Sequence, residues 1–167
     1  MGDTAVDLRK AAAIVGVYEH PVRYAPDKNV LSLIGESALG ALTDAGLNMK
    51  DVDAYYNASE PPRMGYELVE YLNINPWTVD TTLVGGASFE FHVNHALSMI
   101  ATGKARVSLI TYGSVSRSRG VAVGTAGSGR YSDGPALLNH IPDSFEAVYG
   151  ATTVGEYALV AQRHMHN

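Results

Sequence analysis

One turn in the sequence carries the residue types best suited to chemistry. The apolar run WTVDTTLV ends in Gly85-Gly86, and the segment from Ser88 onward has helical spacing. A helix that starts directly after a strand presents free backbone N–H groups at its first turn, and these favour an anion or a developing oxyanion. Strand-turn-helix elbows also carry nucleophilic serines, although the spacing here is Gly-Gly-Ala-Ser-Phe rather than Gly-x-Ser-x-Gly. Ser88 is therefore a better candidate for the helix N-cap than for a nucleophile.

Two histidines lie one helical turn further on. His92 and His95 are spaced i and i+3, which can bring two imidazole rings close together on a helix. Counting about 100° per residue from Phe89 places His92 at the edge of the apolar face and His95 on the far side. A metal site would need both rings on one face and a third ligand, so no metal is expected here. His92 is predicted instead to be buried and hydrogen-bonded, or to line a binding pocket.

The charge distribution indicates a second candidate site. The chain carries 12 basic and 17 acidic residues, a net charge of -5, which disfavours nucleic acid as the main partner. Residues 91–132 nevertheless hold no acidic residue and five basic ones: Lys104, Arg106, Arg117, Arg119 and Arg130. They form a seat for an anionic group, such as the phosphates of a cofactor, or else a solvated face or a contact with acidic parts of a partner. Ser116 and Arg117 also follow a predicted strand at its carboxyl end, where open α/β sheets bind ligands.

Hydrophobic periodicity predicts the elements that position these residues. Apolar runs predict strands at 11–18, 52–58, 77–84 and 107–112, with helices between them and a last helix at 150–167. The alternating order predicts an α/β fold, a mostly parallel mixed sheet covered by helices. The glycine- and serine-rich stretch 113–134 predicts a long loop. The buried face of the helix after Gly86 is predicted to consist of Phe89, Val93, Ala96, Leu97 and Ile100, and three aromatic residues are predicted in the core or an interface: Tyr55, Tyr56 and Trp77.

The composition excludes several function classes. The chain has no cysteine, so it cannot form a disulfide scaffold, a thiolate-ligated metal site, a redox dithiol or a cysteine nucleophile. Its apolar runs are shorter than the roughly 20 residues needed to span a membrane, and its start lacks the order of a signal peptide. A cytoplasmic protein without a membrane partner is therefore expected.

Four segments occur in an informative order: AAIVGVYEHP, LSLIGESALGALTDAGLNMKDVDAYY, GGASFEFHVNHALSMIATGKARVSLI and GATTVGEYALVAQRHM. Together they resemble the N-terminal half of thiolase-superfamily proteins, in the branch of lipid-transfer (SCP2-type) thiolases and steroid aldolases. The resemblance implies a thiolase-like N-terminal α/β domain over residues 10–120. Residues 121–167 would then be the start of the loop domain.

Two departures from the family pattern limit the function that the resemblance implies. The slot of the thiolase cysteine holds Gly86, which cannot be acylated, so the covalent thiolase route is closed. The sequence also stops before the second half of the fold, which bears the family's further catalytic residues. Relatives with glycine in this slot cleave carbon-carbon bonds of CoA thioesters by retro-aldol chemistry, together with a DUF35-type partner subunit. The resemblance therefore implies a coenzyme A thioester of lipid or steroid metabolism as substrate and no tightly bound cofactor.

The resemblance also implies roles for particular residues. His92 would support the acyl pocket, and Ser88 and His92 stay open as catalytic candidates. The residues expected to contact substrate lie at the turn or in the loop after the predicted strand 107–112: Gly85, Gly86, Ala87, Ser88, Ser116 and Arg117. Three functions remain open: part of a lyase or acyltransferase, a non-catalytic acyl-CoA-binding or scaffold subunit, and an inactive truncated fragment. An uncovered apolar face on the helix after Gly86 would favour a homo-oligomer.

Overall fold

The computed structural model describes residues 8–59, 64–115, 117–118 and 153–166. The chain divides into two compact units, Met1–Val115 and Ser116–Asn167. The elements of the first unit are, in order, α1 (Val30–Asp44), a 3-10 helix (Met49–Asp51), β1 (Ala54–Asn57), α2 (Met64–Tyr71), β2 (Thr78–Asp80), α3 (Ser88–Ala101) and β3 (Ser108–Thr111). The second unit contains α4 (Thr153–His166). The assignment of residues 10–120 and 121–167 to two family domains stays a prediction.

The three strands form a parallel sheet in the order β2-β1-β3. β1 is the central strand, and its Tyr55 pairs with Val79 of β2 and with Leu109 of β3. All four residues of β1 are buried. Tyr55 packs in a cluster with residues of α1 and α2, whereas its neighbour Tyr56 packs with residues of α3 on the opposite face. The predicted α/β fold, a parallel sheet flanked by helices, is therefore confirmed.

α1 forms because its start, its buried stripe and its end are all encoded locally. The side chain of Asn29 accepts the N–H of Ser32, and the Ser32 hydroxyl accepts the N–H of Asn29, which closes a capping box. The stripe at a spacing of four is buried against the sheet: Val30, Ile34, Ala38 and Leu42. Beyond the C-terminus, Gly46 has φ +70°, the left-handed conformation that commonly ends a helix. Gly46 thus ends α1 as its position in the sequence predicts.

The predicted first strand, residues 11–18, is wrong. These residues form no ladder with any described strand, and Ile14 is 79% exposed. The segment is held against α1 instead: Gly16 packs so closely that a Cβ there would clash with the carbonyl oxygen of Ala41, and the N–H of Val17 donates to Asp44 Oδ2 at 2.9 Å. A β-branched apolar run becomes a strand only when another strand lies beside it, and none does among the described residues.

β2 is shorter than predicted. It contains three residues, Thr78–Asp80, whereas the sequence predicts a strand of eight residues over 77–84. Trp77 precedes β2 and is 80% exposed. Of the two predicted positions for Trp77, the core is therefore wrong and an interface stays a prediction, whereas Tyr55 and Tyr56 lie in the core. Trp77 stays outside because β2 is the outer strand of the described sheet.

α4 is described by itself. It confirms the predicted C-terminal helix, and His164 and His166 are exposed in its last turn, as expected for helix-end residues. Within the described ranges, no helix has both the length and the apolar character needed to cross a membrane.

Candidate functional site

The turn between β2 and α3 has an open surface. Gly85 has φ +75°, a conformation that strains residues with a Cβ. Gly86 does not have a positive φ, and a Cβ built on it would meet nothing within 4 Å. The position corresponding to the predicted nucleophile slot therefore has room above it.

Ser88 closes this turn with its hydroxyl group. Its Oγ donates to the carbonyl oxygen of Gly85 at 2.6 Å and accepts the N–H of Val84 at 3.0 Å. α3 begins at Ser88 itself, and its N-cap is Ala87, which makes no side-chain capping bond. The prediction that Ser88 is the N-cap is therefore wrong, because its hydroxyl bonds back to the turn rather than forward to the helix.

The start of α3 offers backbone donors. The N–H of Ser88 bonds to Gly85 O at 3.1 Å, and the N–H of Phe91 is the first to bond within the helix, to Ala87 O at 3.3 Å. The N–H groups of Phe89 and Glu90 fall in the first turn, where no intrahelical acceptor exists. The helix dipole adds roughly half a positive charge there, and the Glu90 carboxylate in the same turn opposes it. Because Glu90 reduces the positive potential of the helix dipole, the start of α3 suits the partial charge of a polarised carbonyl oxygen better than a full anion.

The face of α3 that meets the sheet differs from the predicted one. Its buried residues are Ser88, His92 and Ala96, spaced by four. Phe89 and Val93, predicted to be buried, are 37% and 48% exposed. Small and polar residues face the sheet because Tyr56 already fills the space beneath α3. The predicted apolar face is therefore wrong for Phe89 and Val93 and right for Ala96.

His92 is fully buried beneath α3, as predicted, against the ring of Tyr56, with the ring centroids 5.8 Å apart. Among the described residues, no group reaches full hydrogen-bond geometry to either ring nitrogen of His92 or to the Tyr56 hydroxyl, although the Thr82 backbone lies near His92 and the Ser108 side chain near Tyr56. The expected hydrogen bond of His92 is thus missing there. Burial lowers the pKa of His92, and the nearby Asp80 carboxylate and Thr82 backbone offset only part of this effect. His92 is therefore neutral at pH 7.

His95 faces β2 rather than the far side of α3, which corrects the prediction from helical spacing. Its Nδ1 lies 2.6 Å from Asp80 Oδ2. The other oxygen of Asp80 accepts the N–H of Thr82 at 2.8 Å and its hydroxyl at 2.7 Å. Burial acts to raise the pKa of Asp80, but the hydrogen bonds from Thr82 and His95 outweigh it and hold this pKa below its usual value. Sequence reasoning missed Asp80 because only the fold brings residues 80 and 95 together.

Apolar side chains surround the turn on the surface. Phe89 and Tyr112 meet edge to face, with centroids 5.5 Å apart and an interplanar angle of 85°. Both are exposed, and so are three neighbours in sequence: Leu83, Val84 and Val93. We call these five residues the turn-side apolar surface. Large exposed apolar surfaces are typical of interaction or ligand sites.

The predicted basic site is only partly visible. Lys104 and Arg106 are exposed after α3, and Arg117 is exposed in the second unit. Ser116, Arg119 and Arg130 lie outside the described residues. Within the described ranges, no group of three or more histidine, aspartate and glutamate side chains could hold a metal ion.

Comparison with curated proteins gives two relatives, although no protein-family model matches the chain. It is 28% identical over 161 residues to acetyl-CoA acetyltransferase of Methanocaldococcus jannaschii, which covers 92% of this chain and 38% of that protein. It is also 28% identical over 161 residues to 17-hydroxy-3-oxo-4-pregnene-20-carboxyl-CoA lyase of Mycobacterium tuberculosis, with coverages of 95% and 41%. The chain thus spans about two fifths of the length of these relatives.

Two solved structures share the fold. The Ltp2-ChsH2(DUF35) aldolase matches with a TM-score of 0.63 and 23% identity, over 84% of this chain and 34% of that chain. A monomeric SCP2-thiolase-like protein type 1 from Mycobacterium smegmatis matches with a TM-score of 0.51 and 22% identity, over 59% and 22%. At these identities the likeness establishes the fold and leaves the reaction open.

Proposed function

We propose, from the premise that this chain is thiolase-like in sequence and fold and matches the N-terminal half of that superfamily, that it contributes one wall of a site for acyl-CoA thioesters. The reaction would form or cleave a carbon-carbon bond of the thioester without a cysteine nucleophile. A lyase and an acetyltransferase among its relatives support this reaction class.

The observation that carries the proposal is the open position at Gly86. No side chain is present there to be acylated, and no described atom lies where a Cβ would point. A thioester carbonyl placed above Gly86 would face the start of α3, whose unpaired N–H groups stabilise negative charge on oxygen. The turn is thus suited to polarise a thioester rather than to attack it.

Retro-aldol cleavage fits this arrangement. A base removes the proton of a β-hydroxyl group, the bond between the α and β carbons breaks, and its electron pair forms the thioester enolate. The β-carbon leaves as a ketone or aldehyde, and the enolate is protonated at the α carbon. This chain would supply the donors for the enolate oxygen, and the second half of the fold would supply the acid and base.

The residue roles follow from this placement. Gly85, Gly86 and Ala87 would line the acyl pocket, with Ser88 holding the turn from below. His92 would support the pocket as a neutral side chain. Ser116 and Arg117 would lie near the substrate or an interface between copies, a role that rests on the resemblance alone.

Partners are part of the proposal. The turn-side apolar surface would be covered by a second copy of the chain or by a small DUF35-type subunit, a kind of subunit that is named with the Ltp2-ChsH2(DUF35) aldolase. Exposure of Phe89 and Tyr112 supports a covering partner of this kind.

A second function is supported by a specific observation. The Ser88 hydroxyl, the one nucleophile candidate at the turn, is buried and bonded to Gly85 and Val84. This favours a non-catalytic acyl-CoA-binding or scaffold subunit. Assay of the chain together with a DUF35-type protein separates the two functions: aldol cleavage supports the enzyme, and thioester binding without turnover supports the scaffold.

Isothermal titration of the 167-residue chain with a medium-chain acyl-CoA tests the site itself. We expect saturable binding that Gly86→Leu abolishes, because the added side chain fills the open position. Asn94→Leu, which adds the same side chain to an exposed position of α3, is the matched control and should bind normally. Absence of binding in the unmodified chain, or equal binding by both variants, would contradict the proposal.

A further inference from the structure

The Asp80 carboxylate at the end of β2 accepts three hydrogen bonds, one from α3 and two from Thr82 at the strand exit. Asp80 Oδ2 lies 2.6 Å from Nδ1 of His95, while Oδ1 accepts both the N–H and the hydroxyl of Thr82. Asp80 and His95 are partly buried. The Asp80 carboxylate therefore joins Thr82, at the exit of β2, to His95 on α3.

The chemistry of the contact fixes the tautomer of His95. An ionised carboxylate only accepts hydrogen bonds, so Nδ1 of His95 must carry the proton. The partner of a ring nitrogen thus decides which nitrogen is protonated, and Nε2 of neutral His95 is left as an acceptor. Hydrogen bonds to an ionised acceptor are about twice as strong as neutral ones.

Distance argues against a direct role of His95 at the turn. His95 lies seven positions after Ser88, so at 1.5 Å per residue the two are about 10 Å apart along the helix axis. A thioester held above Gly86 would therefore not reach His95. Any influence of the pair on that site must act through the backbone of the turn.

The backbone between Thr82 and Ser88 is fixed at both of its ends. At the strand end Asp80 holds Thr82, and at the helix end Ser88 holds Val84 and Gly85. The Thr82 backbone lies near the buried His92 ring, and the side-chain hydrogen bond that ties the strand exit to a later turn of α3 is the one between Asp80 and His95. Removing that link would free the turn to shift relative to α3.

We infer that Asp80 is a positioning residue for the Gly85–Gly86 turn, acting through His95 on α3 and through Thr82 on the strand exit. The positioning role is independent of any ligand. Its effect on thioester binding rests on the proposed function of the turn.

The first test is the tautomer of His95, read by ¹⁵N NMR of the histidine rings in the 167-residue chain. We expect a protonated Nδ1 in the unmodified chain. In Asp80→Asn the amide oxygen can still accept from Thr82, but the NH₂ group donates to Nδ1, so the proton should move to Nε2. A neutral His95 protonated at Nε2 in the unmodified chain would overturn the inference, and this spectrum requires no variant to fold.

The second test is amide hydrogen exchange at Val84 and Ser88. We expect Asp80→Asn to speed exchange about tenfold at these two amides, the ratio that loss of one charge-assisted hydrogen bond produces. Asp53→Asn is the matched control: Asp53 Oδ2 accepts the N–H groups of Arg106 and Val107 near the other end of the same sheet. Unchanged exchange at Val84 and Ser88 in Asp80→Asn, or the same acceleration in Asp53→Asn, would overturn the inference.

Thioester titration of the same variants separates this inference from the proposed function. Faster exchange with weaker acyl-CoA binding in Asp80→Asn supports both. Faster exchange in a chain that binds no acyl-CoA supports the positioning role and contradicts the proposed function.

Discussion

The rings of Tyr56 and His92 pack at an interplanar angle of 46° with their centroids 5.8 Å apart, and the polar atoms of both lack a hydrogen bond of full geometry to any described residue. Buried polar atoms without partners cost free energy of folding. The free energy of unfolding of variants at these two positions therefore tests whether their polar atoms lack hydrogen-bond partners.

Replacing His92 by leucine should stabilise the chain by about 1 kcal/mol, because an apolar side chain of similar size removes two unsatisfied nitrogen atoms. Urea unfolding followed by circular dichroism measures the change. A loss of stability greater than about 1 kcal/mol would show that His92 has a partner after all.

Stability should also fall on acidification through His92. Its pKa in the folded chain lies below the ordinary histidine value of about 6.5, because burial disfavours the charged ring. As the pH falls below about 6.5, the unfolded chain binds a proton that the folded chain does not, so the free energy of unfolding decreases. Urea unfolding at pH 7.5 and pH 5.5 should show this decrease in the unmodified chain and a smaller one in His92→Leu. Equal decreases in the two chains would contradict the assignment.

The two glycines of the turn should differ in their tolerance of alanine. Gly85→Ala should cost about 1 kcal/mol, because a Cβ is strained at φ +75°. Gly86→Ala should change stability by less than about 0.5 kcal/mol, since the added Cβ meets no described atom. Urea midpoints of the two variants give a direct comparison, and equal costs would show that the turn has a different conformation.

A thiol at Gly86 should be reactive but not catalytic. In Gly86→Cys the start of α3 lowers the thiol pKa, so alkylation by iodoacetamide at pH 7 should be roughly threefold faster than in Asn94→Cys on the same helix.

Neither variant nor the unmodified chain should cleave acetoacetyl-CoA, measured as loss of enolate absorbance. Thiolysis by the purified unmodified chain would contradict the proposed absence of a nucleophile.

The turn-side apolar surface should drive self-association. We expect a dimer or larger species by light scattering at micromolar concentration, because Phe89 and Val93 expose apolar area next to the turn. The double variant Phe89→Ser and Val93→Ser should shift the distribution toward monomer with unchanged circular dichroism. A monomer in the unmodified chain would contradict this prediction.

Local features of the sequence predicted the elements that depend on neighbours along the chain. Gly46 marks the end of α1, and the turn at Gly85-Gly86 leads directly into a helix, as the structure has it. The parallel arrangement also followed from the sequence, because short helical connections leave few other topologies.

Only the tertiary structure decided which surfaces meet. Residues 11–18 have the composition of a strand, but pairing needs a neighbouring strand that the segment itself cannot specify. Phe89 and Val93 have the spacing of a buried face, yet Ser88 and His92 take that place because the sheet beneath α3 presents Tyr56. The contact between Asp80 and His95 exists only because the fold brings the end of β2 beside α3, fifteen residues later in the chain. The sequence by itself thus determined the helices, the turn and the family resemblance, whereas burial and side-chain contacts depended on residues far apart in the chain.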